Sequence, residues 1–208
     1  MLQKFFGGVH PNDHKSASNA KPIAPLREQP AQVVIPMAMH LGAPCNPLVA
    51  AGDKVLVGQK IGEITGLGAP VHASVSGTVA AVGPRPNNSG RPVMSVVIDN
   101  DFQDTQAEPI PRPAAPDQLT PEQMVAIIKE AGITGMGGAA FPTHVKISSA
   151  IGKADTVIIN GAECEPWITA DHRLMLEQGE RIIGGARILR RCLGVDKVTI
   201  GVEENKPD

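Results

Sequence analysis

A glycine-rich stretch followed by a lysine is the part of the sequence whose residue types could bind an anion. Glycines stand at positions 135, 137 and 138, and Lys146 follows them. Glycine lets the backbone adopt positive φ and approach a ligand, and successive backbone N–H groups can converge on an anion. Thr143 is predicted to cap a short helix running to Gly152, whose positive end would face the same anion. The stretch therefore predicts a phosphate-binding loop.

Two common glycine motifs do not fit this stretch. A dinucleotide-binding fingerprint must follow a strand, whereas here a helix comes first: Thr120 is its predicted N-cap, Pro121 its first residue, Gln123 completes a capping box and Gly132 ends it. A Walker loop needs Gly-Lys-Ser/Thr directly after its glycines, and that sequence is absent. The open alternative is a glycine-rich surface turn that joins two helices.

A second polar loop follows the next apolar strand. Asn160 ends that strand, and Glu163 and Glu165 flank Cys164. A carboxylate can accept hydrogen bonds from ribose hydroxyls or from an adenine amine, and it disfavours a 2′-phosphate. The alternative is two solvated acids on a strand-to-helix loop. Cys164 is predicted to pack as a small hydrophobic residue, and nearby Trp167 is expected either to pack or to cover a cofactor ring.

These segments resemble the C subunit of the Rnf (also called Rsx) electron-transport complex. That subunit is related through this region to the NADH- and flavin-binding subunit of respiratory complex I. The resemblance covers essentially all 208 residues. It is carried by Gly137 to Thr143 with Lys146, Ile158 to Pro166, Thr169 to Arg173, the opening Phe6 to Pro11 and the closing Glu204 to Pro207.

The resemblance implies that the subunit binds FMN non-covalently and oxidises NADH. Electrons would leave through [4Fe-4S] clusters in a portion of the subunit absent here, coupled to ion translocation by the complex. The residues expected to contact FMN or NADH are Gly135, Gly137, Gly138, Ala139, Phe141, Thr143, Lys146, Asn160, Glu163 and Glu165. The chain looks like the front part of the subunit, so weak or absent FMN binding and no activity are expected of it alone. Ala140 departs from the family, which usually has glycine there.

The first half of the chain reads as an all-β domain. Short apolar stretches rich in Val and Gly alternate with Gly-Asp and Gly-Gln turns over residues 30–100. They resemble the two halves of a lipoyl- or biotinyl-type barrel-sandwich hybrid. Such carrier domains attach their cofactor to a hairpin lysine, but residues 63–68 between the halves contain none. A scaffold or docking role is therefore favoured over a swinging-arm carrier, and a docking module without redox activity is the alternative function for the whole chain.

The predicted fold class is all-β plus α/β. Residues 1–29 are an extended N-terminal segment, 30–100 the β domain, 101–118 a Pro-rich linker and 119–208 an incomplete Rossmann-like FMN/NADH-binding domain. Within the last, helices are predicted over 120–131, 143–152 and parts of 169–193, with strands over 156–160 and 197–203. The two strands should pair in parallel, so the loops after them, 160–165 and 203–206, should converge.

Composition narrows the partners. A net charge of −2 gives no electrostatic footprint for nucleic acid. Three widely spaced cysteines argue against a disulfide framework. His40 and His72 have no partner at metal-ligand spacing, and the slightly better pair of His10 and His14 near Asp13 lies in a segment expected to be extended, so no metal site is predicted. No apolar run approaches the roughly 20 residues of a membrane-spanning helix. The expected partners are NADH and other subunits of the complex. The subunit is expected at the cytoplasmic face of the inner membrane without direct membrane insertion, and the fragment alone is expected to be soluble.

Overall fold

The computed structural model describes residue 9 and residues 11–25, 28–111 and 118–207. Predictions for the rest of the opening motif and for linker residues 112–117 lie outside the described residues. The chain divides into two compact units. The β-rich unit comprises residues 26–154 and 191–194, and the α/β unit comprises residues 1–25, 155–190 and 195–208. The predicted domain boundaries at 29/30, 100/101 and 118/119 stay predictions, but residues 119–154, which include the glycine-rich stretch, group with the β domain.

The β-rich unit contains two antiparallel sheets. The four-stranded sheet has the order β1-β7-β6-β3, and the three-stranded sheet has the order β2-β4-β5. The strands are β1 (Gln32–Pro36), β2 (Asn46–Pro47), β3 (Lys54–Val55), β4 (Lys60–Glu63), β5 (Val71–His72), β6 (Gly77–Pro86) and β7 (Pro92–Asn100). These positions confirm the apolar stretches predicted as strands.

The core of this unit is aliphatic, as the scarcity of aromatic residues predicts. Its largest fully buried side chains include Met37, Ile61 and Ile98. Val79 in β6 and Val96 in β7 are also buried, while Ala80 and Asp99 on the same strands are exposed. In β6 this alternation places one face against the core, because side chains of a strand point to opposite faces in turn. In β7 the four consecutive residues 95–98 are all buried, so both faces of that strand are covered there.

Two helices border the glycine stretch. Helix α1 (Pro121–Glu130) begins with the predicted capping box, in which Thr120 and Gln123 bond reciprocally. Gly132 follows α1 at φ 66°, and a Cβ there would lie 2.4 Å from the carbonyl oxygen of Pro70. Helix α2 (Thr143–Ala150) comes after the loop. Since α1 ends against the β strands, the loop between the helices starts from a fixed position.

The first part of the predicted linker is bonded to the β strands. Val57 donates its backbone N–H to the Thr105 carbonyl (2.9 Å), and Ala107 donates to Val57 (2.9 Å). The Ser76 hydroxyl accepts the Thr105 amide at 3.0 Å. The sequence predicts an extended connector from Asp101 onward, whereas residues 105–107 pair with Val57, just after β3.

The α/β unit contains a parallel strand pair. Strand β8 (Thr156–Asn160) pairs in parallel with β9 (Lys197–Gly201), in register from Thr156 opposite Lys197. Helix α3 (Ala170–Leu193) lies between them in sequence and is interrupted by a non-helical Gln178. The N-terminal segment forms a short 3-10 helix, Lys15–Ala17. Within the described ranges, no helix is both long and apolar enough to cross a bilayer.

Candidate functional site

The glycine loop is residues 134–142, closed at its base by backbone hydrogen bonds. Gly135 donates its N–H to the Phe141 carbonyl (2.9 Å), and Thr143 donates to Ile133 (3.0 Å). Because its amide is already used, Gly135 contributes no free donor. Gly137 and Gly138 lie at the exposed tip, and their N–H groups bond to no described residue. An anion could therefore meet these two backbone amides.

The left-handed backbone of the loop is at an alanine. None of the glycines at 135, 137 and 138 has positive φ, contrary to the reason given for them from the sequence, whereas Ala140 has φ 49°. A Cβ placed on Gly137 or Gly138 would meet nothing within 4 Å. Gly137 and Gly138 therefore leave the backbone accessible to a ligand, and they do not supply unusual torsion angles. The methyl group of Ala140 makes this left-handed conformation costly.

Helix α2 supplies the cation and a positive helix end. Thr143 is the first residue of α2, and Pro142 precedes it without a side-chain cap, so the predicted Thr143 N-cap is wrong. Proline at that position fixes φ but offers no side-chain acceptor. Lys146 is exposed in the first turn and forms no ion pair with a described residue. His144 is partly buried, and burial lowers its pKa.

A cleft adjoins the tip of the loop. Its volume is about 520 Å³. Residues 138–140 form one side; Pro36 at the end of β1, residues 38–41 after it, and residues 87 and 88 in the β6–β7 turn form the other. The Leu41 N–H donates to the Ala140 carbonyl at 3.3 Å, which joins the two sides. Both sides belong to the β-rich unit.

The acidic loop, residues 160–168, begins where β8 ends. Asn160 is exposed, and its side-chain oxygen accepts the Ala162 amide at 3.0 Å. Glu163 is buried, with a side chain only 4% exposed. One of its carboxylate oxygens accepts the Asp171 N–H at the start of α3 (2.8 Å), and the other bonds to no described group. Glu163 thus caps α3 as well as facing the loop.

Lys15 organises this loop from the N-terminal segment. Its ammonium donates to the carbonyl oxygens of Glu163 (2.6 Å), Glu165 (3.0 Å) and Ile168 (2.6 Å). It also lies 3.9 Å from the Glu163 carboxylate, and its side chain is 10% exposed. One buried cation therefore fixes three carbonyls of the loop and compensates its buried acid.

The loops after the two parallel strands converge, which confirms the prediction. Glu163 donates its N–H to the Glu203 carboxylate at 3.2 Å. Lys206 forms an ion pair with Glu203, and its side chain is only 3% exposed. The hydrogen bond from Lys206 holds the pKa of the Glu203 carboxyl below its usual value. Two lysines and two glutamates thus form one charge network.

Three side chains that could meet a ligand, Glu165, Cys164 and Trp167, are exposed on the acidic loop. The Glu165 side chain forms no hydrogen bond or ion pair with described residues. Cys164 is exposed, so the prediction that it packs is wrong. Trp167 is 60% exposed, has φ 70° and stacks on His14, with ring centroids 4.5 Å apart. Packing by Trp167 is therefore limited to one ring face.

The predicted site residues fall into two groups. Those from Gly135 to Lys146 lie in the β-rich unit, and Asn160, Glu163 and Glu165 lie in the α/β unit. Sequence reasoning missed Lys15, because nothing in a polar, Pro- and Asn-rich segment marks a lysine as buried, and it considered His14 only as a metal ligand beside His10. It also missed cleft residues 36, 38–41, 87 and 88, which are far from the glycine loop in sequence.

The two halves of the chain match two family models. Residues 3–103 match the RnfC barrel sandwich hybrid domain, and residues 128–208 match the Nuo51 FMN-binding domain. The chain belongs to the Rnf-complex C subunit family. The barrel-sandwich hybrid prediction for the β domain and the FMN-binding prediction for the second domain are thereby confirmed.

Curated relatives agree with this assignment. The chain is 46% identical, over 98% of its length, to the C subunit of the Na(+)-translocating ferredoxin:NAD(+) oxidoreductase complex of Acetobacterium woodii. It is 43% identical, over its whole length, to the C subunit of the proton-translocating ferredoxin:NAD(+) oxidoreductase complex of Clostridium ljungdahlii. It is 44% identical, again over its whole length, to the C subunit of the ion-translocating oxidoreductase complex of Haemophilus influenzae. The chain spans 46%, 46% and 31% of these relatives.

Proposed function

We propose that this chain is the FMN- and NADH-binding front part of a peripheral subunit in an ion-translocating electron-transport complex. The observation that carries the proposal is the exposed tip of the glycine loop. The free amides at Gly137 and Gly138, with Lys146 exposed on the helix that follows, fit a phosphate group. The match of residues 128–208 to an FMN-binding domain supports FMN as the bearer of that phosphate.

Each loop has a separate task in this proposal. The amides of Gly137 and Gly138 and the ammonium of Lys146 bind the phosphate of FMN. Glu165 accepts hydrogen bonds from the ribose hydroxyls of NADH, because its exposed carboxylate has no described partner. Glu163 orients that loop instead of binding ligand directly, since it is buried and caps α3.

FMN would supply the ability to take two electrons as a hydride and release them one at a time. The protein's own contribution is to bind the phosphate, orient NADH and exclude water. Iron–sulfur clusters elsewhere in the intact subunit and other subunits would carry the electrons onward. The subunit would act at the cytoplasmic face of the membrane, and this chain alone would bind FMN weakly and be inactive.

The proposal is tested by binding titrations in the intact subunit. Lys146→Ala is expected to weaken FMN binding about tenfold, the loss of one charge-assisted phosphate contact at an exposed site. Lys153→Ala removes another exposed lysine and should leave FMN affinity unchanged. Glu165→Gln should weaken NADH but not FMN, with Glu204→Gln, also exposed, as its control.

The docking alternative makes the opposite prediction. If the glycine loop only joins two helices, the intact subunit binds neither FMN nor NADH at micromolar concentration, and Lys146→Ala matches wild type. That result would leave the chain as an interaction module without redox activity.

A further inference from the structure

The cleft beside the glycine loop has a lining suited to an uncharged, flat ligand. Within the described part of the chain, the lining contains no Asp, Glu, Lys or Arg, and His40 is its one imidazole. Met39 and Leu41 are 50% and 43% exposed, so their apolar side chains remain open to a ligand. The volume of about 520 Å³ lies within the roughly 300–1,000 Å³ range of small-molecule sites.

A polar group at the rim of the cleft can specify orientation. Asn88 is exposed, and its side-chain oxygen lies 3.5 Å from the Ser89 hydroxyl. Its side-chain nitrogen bonds to no described residue. Neighbouring Asn87 is committed, since its side-chain oxygen accepts the amides of Ser89 (3.0 Å) and Arg91 (2.9 Å). A side-chain amide both donates and accepts, which matches the edge of a nucleobase or of a flavin ring.

Both walls of the cleft are held in place by protein contacts. The Asn87 N–H donates to the Arg91 carbonyl at 2.9 Å, which closes the β6–β7 turn. His40 accepts the Ala69 N–H through Nε2 at 3.2 Å. Ala140, whose carbonyl accepts the Leu41 N–H, ties the loop to this wall. The cleft is therefore formed before a ligand binds.

We infer that this cleft receives the flat, uncharged ring end of a nucleotide, so that the barrel-sandwich domain forms part of the cofactor site. The inference rests on the proposed function, in which the adjacent tip of the glycine loop binds a phosphate. A phosphate itself would find no cation in the cleft, whereas an aromatic ring gains apolar contact with Met39 and Leu41. The ring is either the flavin of FMN or the adenine of the dinucleotide.

Two dissociation constants measured on the intact subunit distinguish the flavin from the adenine. That of FMN is measured by flavin fluorescence, and that of ADP-ribose by calorimetry. Leu41→Asn is expected to weaken one of the two ligands about tenfold, as loss of one apolar contact does. Its matched control is Leu48→Asn, an exposed leucine of the same unit outside the cleft. Asn88→Ala should weaken the same ligand as Leu41→Asn, and Asn46→Ala, exposed in β2, should not.

Loss of FMN affinity alone assigns the flavin ring to the cleft, and loss of ADP-ribose affinity alone assigns the adenine. If Leu41→Asn and Asn88→Ala retain wild-type affinity for both ligands while Lys146→Ala still weakens FMN, the inference is overturned and the proposed function stands. Wild-type protein that binds neither ligand would overturn both. Thermal unfolding of each variant, unchanged from wild type, excludes loss of the fold as the cause.

Discussion

Replacing Lys15 with methionine is expected to destabilise the acidic loop strongly. The substitution keeps the apolar stem of the side chain and removes the ammonium. The Glu163 carboxylate would then be buried without its cation, and three carbonyl oxygens would lose a donor. Removing one partner of a buried ion pair costs about 3–5 kcal/mol. The three lost hydrogen bonds to a charged group, at about 1.5–3 kcal/mol each, set an upper limit on the further loss of stability. Water that reaches the freed loop carbonyls would reduce that loss.

The assay is urea unfolding followed by tryptophan fluorescence. The chain has one tryptophan, and Trp167 lies in the loop that Lys15 holds. With an m-value of about 2 kcal/mol/M, a loss of 3–5 kcal/mol lowers the urea midpoint by about 2 M. Lys21→Met is the matched control: Lys21 is exposed in the same segment, so its replacement should change stability by less than about 0.5 kcal/mol.

A second substitution tests the electrostatic part of this reasoning. In the Lys15→Met background, Glu163→Gln removes the uncompensated charge and keeps an oxygen for the Asp171 amide. The second substitution should restore about 1–3 kcal/mol of the free energy of unfolding, which is the coupling energy between positions 15 and 163. The reasoning is refuted if Lys15→Met unfolds at the same urea concentration as Lys21→Met.

Three further predictions concern single residues. Ala140→Gly relieves the strain of a left-handed alanine and should raise the free energy of unfolding by about 0.5–1 kcal/mol. Ala139 has no positive φ, so Ala139→Gly should lower the free energy of unfolding by a similar amount. Chemical denaturation should give opposite signs for the two variants, and equal effects would contradict the prediction. Burial lowers the pKa of His72, so below about pH 6.5 the unfolded chain binds more protons than the folded one and the free energy of unfolding declines. His72→Gln should reduce this decline in unfolding measured from about pH 7.5 to about pH 5.5. An unchanged dependence of the unfolding free energy on pH would exclude His72 as a cause. Cys164 should react with a thiol reagent in the native protein, while the two buried cysteines, whose pKa values are raised by burial, react only after unfolding; three equally fast thiols would disprove this.

Local sequence signals predicted most of the elements. The capping box at Thr120 and Gln123 located the start of α1, and Gly132 located its end. Short apolar stretches separated by Gly-Asp and Gly-Gln turns located the strands of the β domain, and the strand–helix–strand order predicted the parallel pair β8–β9. These features depend on neighbours in sequence, which is why they could be read without a structure.

The parts that could not be predicted depend on contacts between distant residues. Lys15 is buried only because residues 163–168 surround its ammonium, and no local pattern encodes that. The cleft brings together positions near 40, 88 and 139, and a backbone hydrogen bond from Leu41 to Ala140 links two of these segments. Torsions were also misassigned, since the left-handed residue of the glycine loop is an alanine rather than a glycine.

The most direct test of phosphate binding by the glycine loop compares FMN with riboflavin, which lacks the phosphate. In the intact subunit, wild-type protein should bind FMN at least about tenfold more tightly than riboflavin, since the amides near Gly137 and the Lys146 ammonium contact only the phosphate. In Lys146→Ala most of this preference should disappear while riboflavin affinity stays the same. An FMN-to-riboflavin affinity ratio that is unchanged by Lys146→Ala would contradict the account.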